Sequence, residues 1–289
     1  MADGTGADQE AASPPRRLNN QQLGAIAASA ADRSSSGRPE PAPWAGEHQA
    51  VLCMKWGTQY GPEYVNRLYG MLARQTMRSF RLVCLTDDDN GLRSEVEWYP
   101  IPVIPLPDDA PERGWRKLAS FAPEIARVLG DRALFLDLDV VLMGGIDAFF
   151  EYPGDFLILR DRRHPFARIG NTSVYRFRPS RSADVLEQYC RDHELITKRF
   201  RNAREYLSWY MGDFGALEFW PKGWCASFKH DCIPWWPWNH WRAPHPPVAS
   251  RIVVFDGHQK PPDAVSGGPA VKRSRAHLPA PWVGEHWRA

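Results

Sequence analysis

No apolar run in these 289 residues approaches the ~20 that a membrane-spanning helix needs. Neither sign of charge dominates. The formal net charge is +2, which leaves no electrostatic footprint for a general nucleic-acid binder. The opening decapeptide, MADGTGADQE, is acidic and polar, so it is not a secretory leader. Cysteine is scarce: Cys53, Cys84, Cys190, Cys225 and Cys232 form no CxxC pair. An odd count without a leader favours a reducing compartment and reads as cytoplasmic. Cys53 and Cys84 lie in apolar, strand-like runs and read as reduced core residues. No phosphate-cradling loop of the GxGxxG or Walker type occurs.

What is present begins with 43% hydrophobic residues, enough for a globular fold with a sizeable core. Residues 1–45 are rich in Ala, Ser, Gly, Pro and Arg and read as a disordered tail. Residues 46–263 carry the periodic patterns of one domain. Residues 264–289 read as a loosely structured tail in which Trp282 and Trp287 could dock. The segments PAPWAGEH (41–48) and PAPWVGEH (279–286) differ at one position, an echo too short to be a fold repeat. Of thirteen tryptophans, seven fall between Trp209 and Trp241. They either line an acceptor cleft, where sugar rings stack on aromatic planes, or fill a thin core.

Along the body, strands are expected at 50–56, 80–86 and 98–106, with helices after Pro62 and over 117–129, the latter stopped by Gly130. Ala133–Met143 (ALFLDLDVVLM) reads as one strand buried on both faces. Further strands are expected at 155–161, 173–178 and 251–255, short ones at 214–220 and 224–230, and helices at 146–150, 183–200 and 204–211. Alternation of this kind gives an α/β domain on a mainly parallel sheet.

Chemistry concentrates at strand ends. Asp137 and Asp139 interrupt the apolar run, and burying two carboxylates is costly unless they are paired or bind metal. At a spacing of two along a strand they share one face. Two hard oxygen ligands there suit Mg²⁺ or Mn²⁺ completed by substrate phosphates. The segment Asp256-Gly257-His258-Gln259-Lys260-Pro261 leaves a second apolar run, offering an imidazole ligand at His258 and a cation for phosphate oxygens at Lys260. Trp56, Thr58 and Tyr60 follow the first strand, and Thr86 and Asp87 follow the second, where a base and ribose could be held. Lys117 opens the helix before the acid pair and could reach a donor phosphate.

These residues together resemble the nucleotide-sugar glycosyltransferases of the GT-A (Rossmann-like) fold, glycogenin-like and galactosyltransferase-like. The likeness covers roughly 50–263 and is carried by FLDLDVVL (135–142) and FDGHQKP (255–261). It implies a single domain on a mixed, mainly parallel sheet flanked by helices. It also implies Mn²⁺ or Mg²⁺ on Asp137, Asp139 and His258, with Lys260 on the donor phosphates. Asn171 stands where the family carries an Asn-rich strand entry near the donor sugar. The partners implied are a nucleotide-sugar donor, UDP by default, and a carbohydrate or glycoconjugate acceptor. Two departures stand out. The family's Lys-Pro-Trp reads Lys260-Pro261-Pro262, and its sugar-proximal Asp-Gln falls at Asn202-Ala203-Arg204-Glu205.

Two rival readings remain. A haloacid-dehalogenase-type phosphatase would use Asp137 as nucleophile in Asp137-Leu138-Asp139-Val140-Val141. That class usually opens on this motif and needs a later GDxxxD; Gly212-Asp213 starts one, but position 217 is Leu. A non-catalytic carbohydrate-binding protein would explain the tryptophans but not the acid pair.

Overall fold

A computed structural model describes residues 48–107, 114–164, 166–267 and 276–289 of the chain. The expected disordered tail and the first PAPWxGEH segment, apart from His48, lie outside them. Seven strands make the main sheet: β1 (Gln49–Lys55), β2 (Phe80–Thr86), β3 (Val96–Pro100), β4 (Ala133–Leu136), β6 (Phe156–Arg160), β7 (Gly170–Phe177) and β8 (Leu217–Phe219). Their order is β3-β2-β1-β4-β7-β6-β8. Pairing is parallel from β3 through β4 and again between β6 and β8, while β7 runs antiparallel to both neighbours. A smaller sheet joins β5 (Val140–Leu142), β10 (Ile252–Val254) and β9 (Cys225–Ser227).

Residue parity along the central strands sorts the core into two layers, because successive side chains point to opposite faces. Val51, Cys53, Leu82, Cys84, Leu134 and Leu136 face helix α1 (Pro62–Gln75) and the small sheet. Leu52, Met54, Val83, Leu85 and Phe135 face the 3₁₀ turn Trp115–Phe121 and helices α2 (Pro123–Leu129), α4 (Ala183–Arg199) and α5 (Ala203–Asp213). Both faces are covered, which is why these strands read as unbroken apolar runs.

Two local expectations are corrected. Ala133–Met143 is not one strand. It is β4 and β5, in different sheets, with Asp137-Leu138-Asp139 as the turn between them. The ladders reach into that turn from either side: Asp137 N–H donates to Ser173 O at 2.9 Å, and Phe255 N–H donates to Asp139 O at 3.2 Å. Likewise 117–129 is not one helix. Pro123 has no N–H and disfavours helical backbone in the residue before it, so Ala122 is extended and the helix restarts at Pro123.

A short helix, α3 (Asp147–Glu151), precedes β6, and α6 (Pro261–Ser266) follows β10. The last helix, α7 (Pro281–His286), contains most of the second PAPWxGEH segment. It docks on the body: Val283 and Trp287 are buried, and the Arg67 guanidinium lies 4.0 Å from the Trp287 ring centre. Arg74 donates to the carbonyls of His286 at 2.9 Å and Arg288 at 2.6 Å. Among the described residues no helix is long and apolar enough to cross a membrane.

Buried Arg176 on β7 ties the sheet to α3. It donates to the carbonyls of Phe149 at 2.7 Å, Tyr152 at 2.6 Å and Gly154 at 2.5 Å. Burial lowers its pKa to about 10. The guanidinium thus caps the C-terminal end of α3, where the helix dipole favours a cation.

Candidate active site

A cleft of about 440 Å³ opens at the C-terminal ends of β1 and β4, the edge where open α/β sheets place ligands. Trp56, Gln59 and Tyr60 form one wall and Asp137 and Asp139 the floor. Asn171, Thr172 and Ser173 of β7 lie beside them. Asn202 and Arg204, at the start of α5, join Arg163 and Asp256 on the remaining wall.

Each floor aspartate is held by a lysine. Lys117 Nζ lies 2.5 Å from Asp137 Oδ1, and Lys260 Nζ lies 2.7 Å from Asp139 Oδ2. Tyr60 Oη adds a 2.8 Å hydrogen bond to the same Asp139 oxygen and itself receives one from Lys260 at 2.5 Å. Asp139 is only 7% exposed. Burial, and then the neighbouring Asp137 charge, hold its carboxyl above the usual range, with Lys260 and Tyr60 partly offsetting them. Burial and the Asp139 charge likewise push the Tyr60 phenol upward, so it stays a donor.

Of the residues the sequence singles out, Trp56, Tyr60, Lys117, Asp137, Asp139 and Asn171 line this cleft, and Lys260 reaches its floor. Thr58, Thr86 and Asp87 do not line it. Asp87 instead accepts from Gly57 N–H at 2.8 Å, tying the turn after β1 to the turn after β2. Thr86 Oγ1 donates to Asp88 O at 2.9 Å. His258 is exposed in the turn after β10. Among the described residues no group of three or more His, Cys, Asp or Glu side chains could hold a metal ion, so His258 does not join the two acids. Lys260, two residues on, is what reaches Asp139 from that segment.

The donor chemistry of the two acids nevertheless suits a hard divalent cation. Asp137 Oδ2 and Asp139 Oδ1 have no hydrogen bond among the described residues, and the repulsion between the carboxylates is one a cation would relieve.

The far wall was not legible as a site. Asp161, buried, faces Arg204 at 3.5 Å, Arg163 at 3.9 Å and the His164 ring at 3.2 Å. Burial alone would raise its carboxyl, but the Arg163 N–H, His164 and Arg204 together hold it below the usual range. The departure at Asn202–Glu205 was the one signal pointing here: Arg204 stands in the cleft where the resemblance places an acid and an amide. Of the seven tryptophans between Trp209 and Trp241, none lines the cleft. Trp220 and Trp224 pack on Phe149 in the core instead.

No protein-family model and no curated protein matches the sequence. Solved structures match its fold. The galactosyltransferase LgtC, in complex with donor and acceptor sugar analogues, superposes with a TM-score of 0.51 at 11% identity, over 74% of this chain and 89% of that one. The apo glycosyltransferase GlyE of Streptococcus pneumoniae TIGR4 gives 0.55 at 15% identity, over 84% of this chain and 60% of that one. At such identities the likeness shows the fold, and that fold is GT-A.

Proposed function

We propose that this chain is a glycosyltransferase that moves a sugar from a nucleotide-diphosphate donor, a UDP-sugar, to a carbohydrate or glycoconjugate acceptor. The observation that carries the reading is the pair of lysine-held aspartates at the mouth of the central sheet, on a GT-A fold. A solvated turn would not need one buried and one half-buried acid each held by a cation.

In this reading Asp137 and Asp139 hold Mn²⁺ or Mg²⁺, which when bound neutralises the donor diphosphate as a Lewis acid. Trp56 and Tyr60 take the base and ribose side of the donor, with Thr58, Thr86 and Asp87 shaping the turns behind them. An ammonium has three N–H donors, so Lys117 and Lys260 can each keep an aspartate and offer another proton to a phosphate oxygen. Held cations aimed at a leaving diphosphate favour the state in which its charge develops. Asn171 presents an amide toward the sugar, and Arg204 replaces the family's acid and amide on the opposite wall. His258 would have to move to complete a metal set.

A phosphatase reading would need a second acid four residues after Asp213, and that position is Leu217. The test is a thermal-shift series of nucleoside diphosphates with and without Mn²⁺. Stabilisation follows ligand concentration over Kd and reaches about 2.7 kcal/mol at a hundredfold excess. UDP with Mn²⁺ should raise Tm most. No shift with any nucleotide, or hydrolysis of a chromogenic phosphate, overturns the proposal.

A further inference from the structure

The segment between Cys232 and Phe255 inverts the usual relation between residue type and burial. Trp235, Trp236, Trp238 and Trp241 are 84%, 63%, 56% and 69% exposed, whereas Asn239 between them is fully buried. Asn239 Nδ2 donates to Ala276 O at 2.7 Å and so pins the loop from inside. The backbone is bonded to itself: His245 N–H donates to Cys232 O at 3.0 Å, and Arg242 N–H to Trp238 O at 2.9 Å. Trp282 Nε1 secures Pro244 O at 3.0 Å. A polar anchor inward and indoles outward is a held display, not a collapsed patch awaiting a core. Exposed apolar surface of this kind marks an interaction site.

The chemistry of the loop selects its occupant. From Ile233 to Phe255 the sequence contains no Asp, Glu or Gln, and its lone amide, Asn239, faces inward. Sugar sites commonly set carboxylates and amides beside the aromatic plane to meet the hydroxyls, and this segment turns neither outward. Exposed Arg242 sits 5.2 Å from the Trp238 ring centre, and His240 and His245 are also exposed. Indoles with basic neighbours and no acid match the interfacial zone of a bilayer, where indole is half-solvated and anionic headgroups attract cations. We infer that residues 235–242 dock this protein onto an anionic phospholipid surface. The inference stands apart from the glycosyltransferase reading, because none of these side chains lines the cleft.

The full chain should co-sediment with sucrose-loaded vesicles of phosphatidylcholine and phosphatidylglycerol in equal parts. Replacing all four exposed tryptophans by serine should reduce that partitioning on the order of tenfold or more, because interfacial binding scales with buried apolar area. Arg242→Glu should weaken binding to these vesicles and leave the weaker binding to pure phosphatidylcholine unchanged. Both variants should keep the melting temperature, since the altered side chains are exposed. Equal sedimentation of the quadruple variant overturns the inference. So does the absence of vesicle binding together with tryptophan-dependent retention on a soluble polysaccharide, or with tryptophan-dependent dimerisation in solution.

Discussion

Asp139→Asn separates the work of the buried acid from the work of the fold. The substitution keeps shape and volume and removes one negative charge. As an anion Asp139 is disfavoured where it sits, because burial and Asp137 raise its pKa despite Lys260 and Tyr60. The asparagine oxygen can still accept from Tyr60 and Lys260. What is lost is the charge of a pair that already balances its attraction against desolvation. The expected net change is within about 1 kcal/mol, a Tm shift of roughly 2–4 °C at most. A core truncation such as Leu136→Ala should by contrast cost about 2–5 kcal/mol. The pH profile follows from the sign. A carboxyl raised above its unfolded pKa contributes stability that is complete below the unfolded value and is lost as pH rises through the folded one. Any stability gain of Asp139→Asn over the parent should therefore be largest at neutral pH and shrink on acidification. Function should move the other way: the UDP and Mn²⁺ shift should vanish, and any transfer should fall about 10²–10³-fold. Melting in chelator across pH, then with nucleotide and metal, reads both. A loss of 3 kcal/mol or more in chelator, or an unchanged nucleotide response, would refute the reasoning.

Arg176→Met keeps an unbranched apolar stem but strips the donors from carbonyls of Phe149, Tyr152 and Gly154. An unmatched buried acceptor costs about 1–3 kcal/mol; two of these three are only part-buried and removing a desolvated cation offsets part of the sum, so urea unfolding should show a total loss of about 3–5 kcal/mol; a loss under 1 kcal/mol contradicts the capping role. In α1, a methyl on Gly70 would lie 2.4 Å from the backbone carbonyl carbon of Ala289. Gly70→Ala gains about 1 kcal/mol of helix propensity and meets that clash, so the last residues should detach while global stability changes little. Hydrogen exchange should then show residues 281–289 deprotected; unchanged protection contradicts the contact.

Much of this architecture was legible because both faces of the main sheet are covered. Strands such as Leu82–Leu85 and Ala133–Leu136 therefore announce themselves as apolar runs, and Pro62 marks the start of α1. Where local pattern failed, a nonlocal partner decided. Nothing within Ala133–Met143 says that β5 will leave the sheet of β4, because its reason is β10, more than a hundred residues later. The acids were readable as costly residues in an apolar setting, and Lys117 and Lys260 as neighbouring cations. Their one-to-one pairing was not readable, since it depends on Tyr60 and on how the turn after β10 folds back. Arg163, and the gathering of Arg204 with it, escaped notice for the same reason: Asp161, which draws them together, looks from the sequence like an ordinary strand end.

Asp137 belongs by its backbone to the large sheet through Ser173, and Asp139 to the small one through Phe255. The span between the two carboxylates is therefore the gap between two jaws, each mounted on a separate plate. Anything that slides one plate over the other, including a packing change far from the cleft, resets the width of that bite. Under the proposed function, how tightly the pair would hold a cation of given radius would be set by the packing between the two sheets as well as by the two acids.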